Sequence, residues 1–95
     1  MDLTPNFRGV VFSDRLQATA HEEAIAPEAL LGLLEASPVM GRFLDDHPED
    51  RCCTELPGRC GWVSFIRGRQ GQVVLLTVTK TRPAGPCLNL APLWA

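Results

Sequence analysis

Two stretches rich in β-branched and aromatic residues in the C-terminal half constrain the fold more than any other feature of this chain. Residues 62–67 and residues 72–81 form these stretches, and Gly68-Arg69-Gln70-Gly71 lies between them. A four-residue connection with a glycine at each end is typical of a β-hairpin, because such loops often need positive φ values. The sequence therefore predicts two paired antiparallel strands, of which residues 72–81 form the longer one.

Pairing Arg67 with Gln72 fixes the register of this predicted hairpin. One face then points toward the core: Val63, Phe65, Val74, Leu76 and Val78. The other face becomes polar along the second strand: Trp62, Ser64, Leu75, Thr77, Thr79 and Thr81. Threonines that alternate on an outer strand face are common β-formers that face water, and they also suit a binding surface, so both interpretations stay open.

Two helices are predicted before the hairpin. Ser13 offers a side-chain oxygen that can cap a first helix from residue 14 to about residue 24. Pro27 fits the first turn of a second helix, in which four leucines make a wide apolar stripe up to Ala36. We expect this second helix to end at Ser37-Pro38, because the residue before a proline is pushed out of the helical region.

Shorter segments complete the predicted architecture. Residues 10–12 and 51–56 are interpreted as short strands, and residues 40–46 fit a helical turn and an extended strand equally well. The chain is therefore predicted to be one α+β domain, with two N-terminal helices packed on a small antiparallel β-sheet of three to four strands. Its core spans about residues 10–82, and residues 83–95 form an irregular, proline-rich C-terminal tail.

The composition is that of a globular domain rather than of a membrane protein or a disordered chain. Of the 95 residues, 45% are hydrophobic and 21% are charged, which suits a single core. The apolar stretches are much shorter than the ~20 residues of a spanning helix. The N-terminus has no basic segment followed by an apolar block. We therefore expect a cytoplasmic protein that does not associate with membranes.

Four cysteines raise the questions of disulfides and of metal binding: Cys52, Cys53, Cys60 and Cys87. Reduced thiols are expected, because no export signal is recognised and the core is sufficient without bridges. Zinc bound with His47 is the alternative, but structural zinc sites usually contain a Cys-x-x-Cys pair and this chain has none. A redox enzyme built on Cys52-Cys53 is rejected, because vicinal cysteines bridge only with a strained peptide. We predict no metal site and no cofactor.

The charges are divided unequally along the chain. Residues 1–55 contain all eleven acidic residues and four arginines, a net charge of −7, whereas residues 56–95 have a net charge of +5. The bases of the second half are Arg59, Arg67, Arg69, Lys80 and Arg82. Such an asymmetry favours a phosphate-bearing or acidic partner on the basic surface. A basic sheet that only complements acidic helices explains it equally well.

The candidate catalytic and binding residues come from this basic half, because no nucleotide-binding or hydrolase motif occurs in the chain. Arginine and lysine hold phosphates and stabilise the charge that develops in metal-independent RNA cleavage. A histidine can carry the proton, although exposed histidines on a charged surface are more often only solvated. The predicted catalytic residues are Arg67, Lys80, Arg82, His21 and His47. The predicted binding residues are Arg59, Trp62, Arg69 and Thr79, with Trp62 available for stacking.

Two local stretches match a known pattern of two helices followed by an antiparallel sheet. The first is spread over the predicted helices: Phe12-Ser13-Asp14-Arg15, Ala20, Ile25, Pro27-Glu28 and Leu34-Glu35. The second is residues 71–79, which contain a Val-Leu-Leu-Thr-Val sequence. Over about residues 10–82 these stretches resemble the small RelE/ParE and BrnT-like toxin superfamily. That superfamily includes ribosome-dependent and free ribonucleases.

The resemblance implies a toxin-like ribonuclease that acts on RNA and is bound by an antitoxin. Asp14 and Arg15 stand near the place where BrnT-like domains often have a His-Ala-x-x-Arg sequence, and the pI of about 5.6 is unusual for such ribonucleases. A degenerate, purely binding member is therefore also implied.

Two hypotheses of different classes follow. The first is a small ribonuclease that uses Arg67, Lys80 and Arg82 on phosphate. The second is a non-catalytic protein-binding module, such as a phage-encoded or accessory inhibitor of a target protein. Its contact surface is either the acidic helices or the tail at Leu93 and Trp94, which also suits a homodimer. Convergence of the bases in space favours the first hypothesis, and scattering favours the second.

Overall fold

The computed structural model describes residues 9–90 and Pro92. In this part of the chain the regular elements are β1 (Val10–Phe12), α1 (Asp14–Glu22), α2 (Pro27–Asp46), β2 (Cys52–Glu55), β3 (Trp62–Arg67), β4 (Val73–Thr79) and β5 (Cys87–Leu88). A 3₁₀ turn, Pro57–Arg59, connects β2 to β3. The predicted α+β class is confirmed. Leu93 and Trp94, the proposed contact of the tail, lie outside the described residues.

The sheet is mixed and has five strands in the order β1-β4-β3-β2-β5. The three central strands are antiparallel, as predicted, but β1 pairs parallel with β4 and β5 pairs parallel with β2. The prediction of an antiparallel sheet of three to four strands is therefore wrong at both edges. Strands of three and two residues are too short to show a period in the sequence, and parallel pairing depends on long connections.

The hairpin between β3 and β4 differs from the predicted register at its turn. Arg67 pairs with Val73 instead of Gln72, and the Gly68 amide donates to the Gln72 carbonyl at 2.8 Å. The Gln72 side chain accepts a hydrogen bond from the Gln70 amide at 2.9 Å. Gln72 therefore belongs to the turn, which is one residue longer than predicted.

A β-bulge in the same strand pair corrects the predicted core face. The register shifts between Ser64 and Phe65, which leaves Leu76 without a partner on β3. Leu75 consequently lies beside Phe65 in the core at 0% exposure, whereas Val74 and Leu76 are half-exposed. The prediction that Val74 and Leu76 belong to the core is wrong, because alternation alone does not reveal an inserted residue. The remaining predicted core members are buried: Val63, Phe65 and Val78.

The second helix, α2, continues through the proline that was expected to stop it. Pro38 lies inside the helix and has no amide hydrogen to donate to the Leu34 carbonyl. The Ser37 hydroxyl donates to that carbonyl instead, at 2.8 Å. The helix beyond Pro38 buries Met40 and Leu44 completely, which offsets the cost of the proline. The segment 40–46, for which the sequence left two conformations open, is helical.

The first helix, α1, begins as predicted and ends in a left-handed residue. The Leu16 amide donates to the Ser13 hydroxyl at 3.1 Å, so Ser13 is the N-cap. At the other end Ala24 has a φ of 56°, and the Ile25 amide donates to the Ala20 carbonyl at 2.9 Å. This hydrogen bond is that of a Schellman ending, in which glycine is the usual left-handed residue.

Side chains of α1 complete the hydrogen bonding of β4 beyond the short strand β1. The Ser13 hydroxyl donates to the Leu76 carbonyl at 3.1 Å, and the Val78 amide donates to the Thr19 hydroxyl at 3.0 Å. These two contacts lie in the same order along α1 and along β4. The helix therefore runs beside β4, and its C-terminus lies at the end of the sheet where β4 ends.

The core lies between the sheet and the two helices. α1 packs on β4, and α2 packs on β3 and β4. Within the segment expected to be an irregular tail, β5 joins the sheet, the Thr54 hydroxyl donates to the Leu88 carbonyl at 2.8 Å, and Leu90 is 2% exposed. Among the described residues, no helix combines the length and apolar character required to cross a membrane.

Candidate functional site

The predicted site residues fall at two ends of the strand pair formed by β3 and β4. The hairpin end is the turn between the strands, with Arg67 and Arg69. The opposite end, called here the open end, consists of Trp62, Thr79 and the residues that follow β4. Arg67 pairs with Val73, and Lys80 lies seven residues beyond Val73, which corresponds to roughly 20 Å along a strand. The three bases proposed for catalysis therefore do not converge.

The open end brings four predicted residues together. Trp62 pairs with Thr79 on the face of the sheet away from the helices. The Arg82 guanidinium lies over the Trp62 ring, 5.8 Å from its centroid. The Lys80 ammonium donates to the Cys60 carbonyl at 3.4 Å. Lys80 and Arg82 are exposed and Trp62 is half-exposed, so two cations and an aromatic ring are accessible at the same end of the sheet.

Close backbone approaches position this end of the sheet. A Cβ atom on Gly61 would lie 3.0 Å from the Thr79 carbonyl oxygen, so a side chain at this position would push β3 and β4 apart by a few tenths of an ångström. The Thr79 hydroxyl donates to the Thr81 carbonyl at 2.7 Å and holds the chain as it leaves β4. At Gly85 the φ is 110°, and a Cβ atom would lie 2.3 Å from the Arg51 carbonyl oxygen. The loop of residues 80–86 is therefore fixed across the start of β2.

The charge of the open end is mixed. Glu55 pairs with Trp62 on the side opposite Thr79 and is half-exposed. Arg59 lies in the 3₁₀ turn that leads into β3. The carboxylate of Glu55 reduces the positive potential beside Trp62, which limits the affinity for an anion at that point.

The hairpin end uses its arginine differently. Arg67 donates to the Gly41 carbonyl and to the Gly71 carbonyl, both at 2.8 Å. It also forms an ion pair with Asp45 of α2. Its side chain is 23% exposed, and its donors are directed at groups of the protein itself. Arg67 therefore ties the C-terminal part of α2 to the hairpin turn, while Arg69 in the same turn is exposed.

The two histidines lie on different parts of the molecule. His21 is exposed in the last turn of α1, so it lies toward the open end but on the helical side of the sheet, away from the face of Trp62. His47 follows α2, with its ring centroid 4.7 Å from that of Phe43 and its Nδ1 3.5 Å from the Asp50 carboxylate. It lies toward the hairpin end. Neither histidine lies on the face of the sheet that presents Trp62.

Two features outside the predicted site are evident only in three dimensions. Exposed carboxylates cover the outer surface of the helices: Asp14, Glu22, Glu28, Glu35, Asp45 and Asp46. Of these, Asp45 is paired with Arg67, and the other five have no ion pair within the described part of the chain.

An open groove of about 490 Å³ also lies between α2 and β5, lined by Val39, Arg42, Phe43, Asp45, Asp46 and Leu88. This groove cannot be predicted from the sequence, because Leu88 falls in the segment that is expected to be an irregular tail.

The cysteines are arranged across the sheet rather than as a cluster. All four have free thiols. Cys52 faces the core beside Phe65, whereas Cys53 faces the other side and pairs with Cys87 of β5. Residues 9–90 contain no group of three or more histidine, cysteine, aspartate or glutamate side chains that could hold a metal ion.

Comparison with known proteins identifies no relative. No protein-family model, no curated protein and no solved structure matches this chain. The resemblance to RelE/ParE and BrnT-like toxins therefore stays a prediction.

Proposed function

We propose that this chain is a non-catalytic binding domain that recognises single-stranded RNA at the open end of its sheet. The observation that carries the proposal is the position of Arg82 over the Trp62 ring, with Lys80 at the same end of the sheet and all three side chains accessible to solvent. Aromatic side chains stack on exposed bases, and neighbouring cations contact the phosphates. The proposal keeps the RNA partner of the first hypothesis because two of its three bases, Lys80 and Arg82, still lie at one end of the sheet. It gives up the catalytic step because Arg67 lies at the other end.

The absence of catalysis is inferred from how the proposed catalytic residues are separated. Arg67 is directed at Asp45 and at two carbonyl oxygens, so its guanidinium is occupied by structural contacts. It also lies roughly 20 Å from Lys80 along the strands, which is too far for one phosphate to contact both. A general base has to be within hydrogen-bond reach of the proton that it removes, and the two histidines lie off the face that holds Trp62.

The expected affinity is modest and depends on salt. Two cations that each neutralise one phosphate of a single strand give a slope of log affinity against log salt of about −1.4. Stacking on one tryptophan contributes about 1–3 kcal/mol. We therefore expect micromolar to millimolar dissociation constants, detectable at low ionic strength.

Fluorescence anisotropy with a labelled single-stranded oligouridylate tests the proposal. The double variant Lys80→Ala/Arg82→Ala should lose about tenfold or more in affinity and most of the salt slope. Arg69→Ala is the matched control, because it removes an exposed arginine from the hairpin end and should change the affinity less than twofold. If Arg69→Ala loses as much affinity as Lys80→Ala/Arg82→Ala, binding is only nonspecific attraction to positive charge.

The catalytic alternative is examined with the same protein by following the integrity of total RNA, both in vitro and after induced expression in a bacterial host. We expect intact RNA and unaffected growth. Fragmentation of RNA by the unmodified chain, abolished in Lys80→Ala/Arg82→Ala, would replace the non-catalytic proposal with the ribonuclease hypothesis.

A second candidate function is protein binding through the outer surface of the helices. It is favoured by the five exposed carboxylates that lack ion pairs within the described part of the chain. Such a surface suits a basic protein target. The triple variant Glu28→Gln/Glu35→Gln/Asp46→Asn should lose a captured host partner that Lys80→Ala/Arg82→Ala retains. If Lys80→Ala/Arg82→Ala loses the partner and the triple variant retains it, the partner binds at the open end instead.

A further inference from the structure

Two cysteines face each other across the parallel strands β2 and β5. Cys53 pairs directly with Cys87, and directly opposite residues of neighbouring strands point to the same face of a sheet. Neighbouring strands lie about 4.8 Å apart, which is within the separation of about 4.4–6.8 Å that Cα atoms have in disulfides. The backbone at this position is therefore compatible with a disulfide without a rearrangement of the sheet.

The side chains of this pair already interact. Cys53 is fully buried and Cys87 is half-exposed. Burial, the neighbouring Cys87 and a hydrogen bond between the two side chains raise the pKa of Cys53 to about 11. The Cys53 thiol is therefore protonated and protected, and Cys87 is the sulfur that a reagent in solution reaches first.

We propose that Cys53 and Cys87 form a reversible disulfide that locks the loop of residues 80–86 onto β2. This loop carries Lys80 and Arg82 and is held to β2 by a hydrogen bond of 2.9 Å from the Cys53 amide to the Pro86 carbonyl. The Cys53 thiol also lies 3.8 Å from the Pro83 carbonyl oxygen. A covalent link at the end of the loop would add to contacts that already hold it, so oxidised and reduced forms share one fold.

The oxidant is a low-molecular-weight disulfide such as oxidised glutathione. The Cys87 thiolate attacks one sulfur of that disulfide, its sulfur–sulfur bond breaks, and one thiol leaves with the proton that Cys87 lost. Cys53 then loses its proton and attacks the mixed disulfide at the Cys87 sulfur, which releases the second thiol. Two protein thiols are oxidised by two electrons, and one small disulfide is reduced to two thiols.

The remaining cysteines are poorly placed for this reaction. Cys52 is adjacent to Cys53 in the chain but faces the core beside Phe65 and is fully buried. The Cys60 thiol lies 3.1 Å from the Pro57 carbonyl oxygen, in the turn before β3. Neither has a cysteine as a pairing partner on a neighbouring strand. The disulfide is therefore expected between Cys53 and Cys87 alone.

Equilibration of the folded chain with defined ratios of reduced to oxidised glutathione tests this proposal. After acid quenching and alkylation of free thiols, mass spectrometry should show loss of two thiols at oxidising ratios and recovery of both with a reductant. The linkage is assigned in Cys52→Ser, because Cys52 and Cys53 fall in the same tryptic peptide. The midpoint of thermal unfolding should rise by about 10 °C in the oxidised form.

Variants decide between this pair and the others. Cys52→Ser/Cys60→Ser should oxidise like the unmodified chain, whereas Cys87→Ser, which changes a half-exposed residue, should form no disulfide between two cysteines of the chain. A disulfide in Cys87→Ser, or failure of the folded chain to lose two thiols at any ratio, would overturn the proposal. These experiments detect the disulfide directly, so their result does not depend on whether the chain binds RNA.

Discussion

Arg67 and Arg82 occupy opposite ends of one strand pair, and the protein uses them in opposite ways. Arg67 at the hairpin end is surrounded by two carbonyl oxygens and the carboxylate of Asp45. Arg82 at the open end is exposed and lies over Trp62. An arginine whose donors are directed at the fold stabilises the fold, whereas an arginine that presents its donors to solvent is available to a ligand. Residue type alone therefore does not identify a binding residue.

The largest effect that separates the two ends is expected from Arg67→Ala. The substitution removes the ion pair with Asp45 and the hydrogen bond to Gly41, which hold α2 to the hairpin, and the hydrogen bond to Gly71 within the turn. The free energy of unfolding should therefore fall by about 2 kcal/mol. Arg82→Ala should change it by less than about 0.5 kcal/mol, because Arg82 is exposed. Urea denaturation of both variants measures the difference.

The converse result would break the comparison. If Arg67→Ala remains as stable as the unmodified chain but loses affinity for RNA, then Arg67 belongs to a binding surface and its contacts with α2 are incidental. Arg67→Lys serves as the conservative variant and should recover part of the stability, since one ammonium cannot reproduce the forked donors of a guanidinium.

A pH dependence should follow from the thiol beneath the loop of the open end. The pKa of Cys53 is raised from 9.0 to about 11, first by burial and then by Cys87. Because the folded state favours the protonated thiol, the contribution of Cys53 to the free energy of unfolding is fully present below pH 9. It is lost as the pH rises toward 11. Urea denaturation between these values should show the loss, and Cys53→Ala should show less of it than the unmodified chain. Equal pH profiles for the two proteins would contradict this assignment.

A smaller effect is expected at the end of α1. Ala24 has a φ of 56°, a conformation that costs an L-residue roughly 1 kcal/mol and costs glycine almost nothing. Ala24→Gly should therefore raise the free energy of unfolding by about 0.5–1 kcal/mol, although glycine in a helix interior is destabilising. Ala20→Gly, inside the same helix, is the matched control and should lower it. The affinity for RNA should be unaffected by Ala24→Gly, because Ala24 is not among the residues proposed to contact RNA.

The parts of the fold that sequence could predict are those encoded by neighbouring residues. The cap at Ser13, the start of α2 at Pro27 and the hairpin follow from local chemistry, and the structure confirms them. The passage of α2 through Pro38 could not be predicted, because it depends on the hydroxyl of Ser37 and on the core that Met40 and Leu44 enter.

The candidate site was predicted in its residues but not in its grouping. The positions of Trp62 and Arg67 at opposite ends of one predicted strand were already visible in the sequence. The pairing of Arg67 with Asp45, however, joins residues 22 positions apart in the chain. The contact of Cys53 with Cys87 depends on the parallel edge strand β5, which is too short to be recognised from its sequence. Long-range contacts of this kind leave no local pattern.

The smallest expected effect comes from Glu55, a carboxylate beside Trp62. Glu55 pairs with Trp62 across β2 and β3, so its negative charge opposes a phosphate that approaches Trp62. Glu55→Gln keeps the shape of the side chain and should tighten the binding of a single-stranded oligouridylate by about two- to threefold, an effect that fades as salt is added. Asp46→Asn, on the helical side, removes the same charge and should change the affinity less. If Glu55→Gln and Asp46→Asn bind the oligouridylate equally well, the gain in affinity reflects only the net charge of the chain. That result would contradict RNA binding at the open end.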